Sequence, residues 1–184
     1  MTNSTIVVLN PNSTTAVTDA LDQSLDHFRF DKGPRIVART LAEGPPGIET
    51  DQHVRDVEAP LCEHLARVER DSSGSQGKGG SRGAHVIACF SDPGIAAARQ
   101  RLNWPVFGMA ECGYLSACAR AERFGVLSIL SASIPRHLRY VEPGGCKTEK
   151  ERLGKSIMQG RRLLRCELFG ESLAITTSYN IGGG

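Results

Sequence analysis

The residue best suited to chemistry in this sequence is a cysteine that follows a run of apolar residues. Residues 86–95 read VIACFSDPGI, so Cys89 is followed directly by Phe-Ser-Asp-Pro-Gly. A thiol between the carboxyl end of a strand and the next helix lies near backbone N–H groups and the positive end of the helix dipole, which lower its pKa. Such a thiolate can act as a base or a nucleophile. The alternative interpretation is a small residue that simply ends a buried strand before a turn.

Two other predicted strands also end in polar residues that could bind a ligand. Asn10 and Asn12 bracket a proline after TIVVLN, and their amides either bind an anionic or amide group or form an Asx turn. Ser128, near the end of FGVLSIL, is either a buried hydroxyl or a ligand contact. Ser91 and Asp92 either cap the next helix or, with their neighbouring amides, hold a carboxylate or imide oxygen. The candidate site therefore consists of a catalytic Cys89 and the substrate-binding residues Asn10, Asn12, Ser91, Asp92 and Ser128.

Short apolar runs alternate with stretches of helical spacing along much of the chain. The runs lie at 5–10, 35–41, 84–90, 104–109 and 124–130. Between the first two, Val17, Leu21 and Leu25 recur at steps of four, the spacing of an amphipathic helix. This alternation predicts an α/β fold with a parallel sheet. In such sheets ligands bind at the carboxyl ends of the strands, where the candidate residues lie.

Three further segments are interpreted from their local pattern. Residues 53–69 have helical spacing, with Pro60 as an irregularity near the middle. Residues 70–83 contain glycine, serine and charged residues but no apolar residue, which predicts a surface loop. The basic residues at 160–165 are interleaved with leucine, which favours the polar face of a helix over a nucleic-acid patch, and Cys166 falls on the same apparent helix.

Composition limits the classes of protein and partner. The 184 residues are 40% hydrophobic and 23% charged with a net charge of +2, which is typical of one globular unit and does not favour nucleic-acid binding. The N-terminus lacks the pattern of a signal peptide, and no run approaches the ~20 apolar residues of a membrane span. The six cysteines have irregular spacing, without a CxxC pair or zinc-ligand spacing, so reduced thiols in a cytoplasmic protein are expected.

Four segments, in this order, carry a family resemblance. VVLNPNST, VIACFSDPGI, WPVFGMAE and RFGVLSILSASIP together resemble the aspartate/glutamate/hydantoin racemase superfamily, particularly its hydantoin and allantoin racemase branch, over residues 5–141. The resemblance implies a three-layer α/β sandwich of two similar lobes, with the active site in the cleft between them. It also implies catalysis without pyridoxal phosphate or metal, by two cysteines on opposite faces of the stereocentre. One thiolate removes the α-proton while the opposite thiol delivers a proton to the other face. Cys89 matches the first of these cysteines.

The second cysteine of the family has no matching motif in this sequence. The family carries it after a strand, in a Gly-Cys-Ala-Gly type of turn, whereas Cys146 here lies in a glycine-rich charged stretch and Cys166 on an apparent helix. The terminal SLAITTSYNIGGG has the form of a strand and a loop, with hydroxyl groups in place of a thiol. We therefore expect approximate lobes at 1–103 and 104–184, the second of them incomplete.

The expected activity is cofactor-independent racemisation of a hydantoin, allantoin or amino-acid derivative, by acid–base transfer at the α-carbon. A decarboxylase or isomerase of the same superfamily that uses a single cysteine is one alternative, and an inactive ligand-binding fragment is another. The expected partners are a small-molecule substrate and further copies of the chain, because an incomplete lobe leaves a strand edge and apolar surface uncovered. No metal, cofactor, nucleic acid or membrane is expected.

Overall fold

Four of the predicted strands form one parallel sheet. The computed structural model describes residues 4–73, 82–120, 123–128, 131–141, 162–167 and 172–176, and the chain divides into two compact units, residues 1–109 and 110–184. The strands of the first unit are β1 (Thr5–Asn10), β2 (Arg35–Thr40), β3 (Gly83–Ile87) and β4 (Val106–Gly108). Their order across the sheet is β2-β1-β3-β4, and every pair of neighbours is parallel. The predicted α/β class and its parallel sheet are confirmed.

The helices of the first unit follow the predicted segments with two corrections. They are α1 (Thr15–Ser24) with a short 3-10 turn (Asp26–Phe28), α2 (Asp51–Asp56), α3 (Glu58–Ser73) and α4 (Ile95–Arg101). The helix predicted at 53–69 is interrupted at Val57 rather than at Pro60, because proline is tolerated in the first turn of α3, where its missing N–H needs no partner. In addition, α3 continues into the loop predicted at 70–83, of which residues 74–81 lie outside the described structure.

Successive side chains of β1 point to opposite faces of the sheet, and each face contacts a helix. Val7 and Leu9 of β1 are buried in one cluster with Leu61 and Leu65, so α3 covers that face. On the opposite face the side chain of Asn10 hydrogen-bonds to α1. Helices on both faces of a parallel sheet give the first unit the three layers that were predicted. The remaining buried members of the cluster are Leu41, Val57, Cys62, Ile87, Ala98, Trp104 and Val106.

A buried carboxylate joins α3 to the segment that precedes β4. Glu69 is 6% exposed and accepts hydrogen bonds from the backbone N–H of Asn103 (3.0 Å), the backbone N–H of Trp104 (2.9 Å), Asn103 Nδ2 (3.1 Å) and His85 Nε2 (3.1 Å). Burial raises the pKa of Glu69, but these donors outweigh burial, so the pKa is lowered and the carboxylate is ionised. Burial lowers the pKa of His85, whose ring stacks on Trp104 with 5.1 Å between centroids.

The second unit contains a separate three-stranded sheet. Helix α5 (Met109–Arg120) begins at the boundary and is followed by β5 (Arg123–Ser128), a 3-10 turn (Ser131–Ser133), α6 (Ile134–Val141), β6 (Arg162–Glu167) and β7 (Ser172–Thr176). The central strand is β5, which is parallel to β7 and antiparallel to β6. The helix predicted around 160–166 is therefore wrong, because backbone pairing with β5 makes this segment a strand despite its helix-like charge spacing. Among the helices in the described ranges, none is long and apolar enough to cross a membrane.

Glu69→Gln tests whether the buried carboxylate stabilises the first unit. We expect the free energy of unfolding, measured in urea, to fall by about 2–4 kcal/mol. Whichever carboxylate oxygen becomes the amide nitrogen, it would then face a backbone N–H, of Asn103 or of Trp104, which can only donate. The stabilisation that Glu69 contributes also depends on pH, in a direction that follows from its pKa. Because the folded pKa of Glu69 lies below its ordinary 4.5, the stabilisation is present at neutral pH and is lost as the pH falls through the lowered value.

Glu63→Gln is the matched control for this measurement. Glu63 lies on the same helix and forms an exposed ion pair with Arg70 at 2.9 Å. An exposed pair of this kind contributes at most about 1 kcal/mol, so the control is expected to lose little stability. Equal losses in the two variants would contradict the role given to Glu69.

Candidate functional site

The loops that follow β1 and β3 leave the sheet side by side. The two strands are paired from Thr5 and Gly83 onward, and the backbone N–H of Ala88 donates to the carbonyl of Leu9 at 2.8 Å, which extends the pairing beyond the end of β3. The next residue in the chain is Cys89. The structure therefore brings the thiol-bearing turn and the asparagine-bearing loop to one edge of the sheet, the edge at which ligands bind in open α/β sheets.

Cys89 lies in a tight turn before α4 rather than at the start of the helix. Its side chain is half-buried, and its carbonyl accepts a hydrogen bond from the backbone N–H of Asp92 at 3.0 Å. Helix α4 begins only at Ile95, after Gly94 in the left-handed conformation. Cys89 therefore lies five positions before the N-cap of α4, and the effect of the helix dipole on its thiol stays a prediction.

The three described thiols whose surroundings are defined differ in exposure. Cys62 belongs to the core cluster beneath α3, and burial raises the pKa of its thiol, which agrees with the packing role predicted for it. Cys112 lies on α5 and is exposed. Cys89 is half-buried at the strand exit and is not a member of the core cluster. Of the three, Cys89 is the one that lies at the exit of a strand of the parallel sheet.

Asp92 is buried between the exits of β3 and β4. Its side chain is 3% exposed, its backbone has a positive φ of 40°, and its carboxylate lies so close to Gly108 that a Cβ atom there would overlap it. Ser91 is also buried. The N-cap position of α4 is occupied by Gly94 and by neither of these two residues. Asp92 instead connects the Cys89 turn to the end of β4.

The side-chain amide of Asn10 is buried and makes hydrogen bonds within the protein. Its side chain is 1% exposed, and its Nδ2 lies 2.9 Å from Asn12 Oδ1, 3.1 Å from Thr18 Oγ1 and 3.2 Å from the carbonyl of Thr14. Its Oδ1 accepts from the backbone N–H of Asn12 at 3.2 Å. With both ends of its amide engaged, Asn10 shapes the loop after β1.

Asn12 uses the oxygen of its side-chain amide within this loop. Its Oδ1 accepts from Asn10 Nδ2 and, at 3.0 Å, from the backbone N–H of Thr14. The side chain is half-buried, and among the described residues its Nδ2 has no hydrogen-bond partner. A group with two N–H donors is therefore available in the loop that follows β1.

The loop after β2 supports the loop after β1. The carbonyls of Pro45 and Pro46 accept hydrogen bonds from the backbone N–H of Ser13 (2.9 Å) and from Thr14 Oγ1 (2.8 Å). Gly44 packs so closely on the backbone of residues 11 and 12 that a Cβ atom would overlap it. The loop after β2 therefore supports the loop after β1 through these hydrogen bonds and this close packing.

Two hydroxyl groups in this region were missed by sequence reasoning. Thr40, the last residue of β2, and Thr18 of α1 have their Oγ1 atoms 2.5 Å apart, and Thr18 also accepts from Asn10. Thr40 carries the same signal that singled out Ser128, a hydroxyl at the end of an apolar strand. Nothing in the sequence pattern marked Thr18 as a residue of this site, because threonine is common at helix positions.

Ser128 belongs to the second unit. It is the last residue of β5, opposite Arg162 of β6 in the register, and only its backbone lies within the described structure. Cys166 is on β6, opposite Phe124, and Cys146 lies outside the described residues. In the described ranges, no group of three or more histidine, cysteine, aspartate or glutamate side chains is arranged to hold a metal ion.

The sequence and the fold are similar to those of known racemases. The profile of the Asp/Glu/Hydantoin racemase family matches residues 6–157. The hydantoin racemase of Paenarthrobacter aurescens is 32% identical over 133 residues, which cover 72% of this chain and 52% of that protein. The hydantoin racemase of Pseudomonas sp. (strain NS671) is 33% identical over 128 residues, which cover 68% of this chain and 46% of that protein.

The fold is also similar to that of a racemase whose structure has been solved. The allantoin racemase from Klebsiella pneumoniae aligns with a TM-score of 0.65 at 28% identity, over 76% of this chain and 53% of that one. The chain therefore spans about half the length of the curated relatives and of the solved structure that it matches.

Gly108→Ala tests whether Asp92 fixes the turn that carries Cys89. We expect the added methyl group to displace the Asp92 carboxylate and to lower the free energy of unfolding by about 1–3 kcal/mol. We also expect the rate of Cys89 alkylation by iodoacetamide, followed by peptide mass spectrometry, to rise as the turn loosens. Gly47→Ala is the control, since its Cβ would meet only the Glu49 side chain, at 3.4 Å. An unchanged alkylation rate in Gly108→Ala would contradict this role of Asp92.

Proposed function

We propose, since the chain belongs to the Asp/Glu/hydantoin racemase family, that it racemises a hydantoin, allantoin or related amino-acid derivative by proton transfer at the α-carbon, with Cys89 as an acid–base group. The names of the relatives support this substrate class. The observation that carries the proposal is the arrangement of residues at the exits of β1 and β3. A half-buried thiol in a fixed turn lies on the strand exit adjacent to a loop with an available amide donor.

The chemistry requires a base and a group that stabilises negative charge. The Cys89 thiolate would take the proton from the carbon next to the substrate carbonyl, so that the C–H bond breaks and an S–H bond forms. The electron pair of the C–H bond moves toward the carbonyl oxygen, which becomes an enolate-like oxyanion. Hydrogen-bond donors directed at that oxygen lower the barrier. The amide of Asn12 and the backbone N–H groups of the turn after β3 are the donors we assign to this task.

Inversion also needs an acid on the opposite face of the stereocentre. After the proton leaves to Cys89, a second group must deliver a proton to the other face, and in the reverse direction the two groups exchange roles. Cys118, Cys146 and Cys166 are the thiols of the second half of the chain whose side-chain surroundings lie outside the described structure, and none of them is assigned to this role.

One observation favours a second candidate function. Strand β7, the parallel neighbour of β5, ends at Thr176, so a hydroxyl residue stands at that exit instead of a thiol. A hydroxyl is a far weaker acid than a thiol near neutral pH. A site with one thiol can still protonate a carbanion from one face, as decarboxylation of a substituted malonate requires. The release of carbon dioxide from phenylmalonate distinguishes this activity from racemisation, which leaves the composition of the substrate unchanged.

Loss of optical rotation by L-5-methylhydantoin tests the proposed function. We expect the full chain to accelerate racemisation over buffer, and Cys89→Ser to lower the enzymatic rate by at least about 100-fold, because a hydroxyl replaces the thiolate base. Cys112→Ser is the matched control, since this exposed cysteine lies on α5, and its rate should equal that of the unaltered chain. Retention of activity by Cys89→Ser would contradict the assignment of the base.

A further inference from the structure

We infer that Arg29 and Arg99 close the two edges of the parallel sheet of the first unit, so that a second copy of the chain cannot add a strand there. The inference goes beyond the proposed function and does not depend on it, because neither arginine takes part in the proposed proton transfer. It identifies two surfaces that contacts between copies of the chain do not use.

The sheet has one edge at β2 and the other at β4. Among the described strands, each of these two pairs with a neighbour on one side only. The outward-facing N–H and C=O groups of an edge strand are a template on which another chain can add a strand. Both edge segments also carry exposed apolar side chains, which strengthen such contacts: Phe28 (56% exposed) and Phe30 (70%) shortly before β2, and Phe107 (45%) within β4.

At the β4 edge, Arg99 of α4 occupies an outward-facing carbonyl. The backbone N–H of His85 donates to the carbonyl of Pro105 at 2.9 Å, so the next residue, Val106, directs its backbone groups away from β3. Arg99 donates to the carbonyl of Val106 from Nε at 3.0 Å and from Nη2 at 2.9 Å. The guanidinium group therefore stands where an added strand would have to place its own N–H donor, about 4.8 Å from β4.

At the β2 edge, Arg29 occupies the corresponding carbonyl of Ile36. The backbone N–H of Arg35 is bonded on the side of β1 at 2.9 Å, so Ile36 directs its backbone groups away from β1. Arg29 Nη2 donates to the carbonyl of Ile36 at 3.3 Å. Asp22 and Asp26 form ion pairs with the same guanidinium group, and these pairs hold it over the edge.

Displacement of either arginine by a second copy would be unfavourable. A guanidinium group keeps its charge and can only donate, so burial beneath an added strand without a new acceptor costs free energy. When two identical edges meet about a two-fold axis, the same arginine of both copies is brought to the contact. The like charges then repel each other. The block is therefore most effective against another copy of this chain.

A purely structural role for these side chains makes a different prediction. If Arg99 only fastened α4 to β4, its removal would lower stability, but the folded variant would associate no more than the unaltered chain. If Arg99 closes the edge, the folded variant associates through β4. Outward-facing backbone amides, such as that of Val106 in β4 and that of Ala38 in β2, would then become hydrogen-bonded and exchange more slowly with solvent.

The first experiment measures self-association of the full chain by sedimentation equilibrium, well below the melting temperature of each variant. We expect Arg99→Met and Arg29→Met each to lower the dissociation constant for association of two copies by at least about 10-fold. Arg101→Met and Arg55→Met are the matched controls, because they remove the same charge from exposed positions of α4 and α2, and no change is expected for them.

Two edges keep this test decisive. Arg29 makes its bonds at the surface of α1, so Arg29→Met is expected to fold even if Arg99→Met does not. A folded variant of either arginine that associates no more than the unaltered chain would overturn the inference.

The second experiment locates the contact by amide hydrogen exchange, followed by NMR at low and high protein concentration. We expect exchange at Val106 to slow with concentration in Arg99→Met, and exchange at Ala38 to slow in Arg29→Met, because these amides pair with the added strand. Association that leaves exchange at both amides unchanged would place the contact elsewhere and would overturn the inference. Neither experiment measures racemisation, so failure of the proposed function would leave this result unaffected.

Discussion

The candidate site depends on the parallel pairing of β1 with β3. Because the two strands run in the same direction and are paired residue by residue from Thr5 and Gly83, both leave the sheet at the same level. The hydrogen bond from Ala88 to Leu9 prolongs this pairing up to the residue before Cys89. A thiol and a loop with an amide donor thereby become neighbours although they are far apart in the sequence. Without this pairing, the Cys89 thiol would have no hydrogen-bond donor of the β1 loop near it to support the proposed proton transfer.

Buried polar side chains make the loops at this edge rigid. Asn10 and Asp92 are both almost completely buried, and each connects its own loop to a neighbouring strand or helix. A polar group buried in this way must be well satisfied, since an unsatisfied one costs about 1–3 kcal/mol. The loops can therefore hold Cys89 and Asn12 in fixed positions before a substrate binds. Preorganisation of this kind is what proton abstraction next to a carbonyl requires.

The local elements of the first unit could be predicted from the sequence, and so could the position of Cys89. Strands β1 to β4 are short apolar runs, and the turn after β3 is marked by Asp, Pro and Gly. The separate roles of Asn10 and Asn12 could not be predicted, because they depend on Thr18 and Thr40, which reach Asn10 only in the folded chain. The burial of Asp92 depends likewise on Gly108 of another strand. The strand at Arg162–Glu167 was mistaken for a helix because its pairing with β5 is not encoded in its own residues.

Solvent deuterium incorporation at the methyl-bearing ring carbon of 5-methylhydantoin tests the central claim most directly. Proton NMR in deuterated buffer follows the loss of the signal from this hydrogen, with the heat-denatured protein as the reference for spontaneous exchange. The account predicts exchange by the native chain well above this reference, and no such excess for Cys89→Ser. Exchange at the reference rate by the native chain, or undiminished exchange by Cys89→Ser, would contradict the claim that this thiol removes the α-proton.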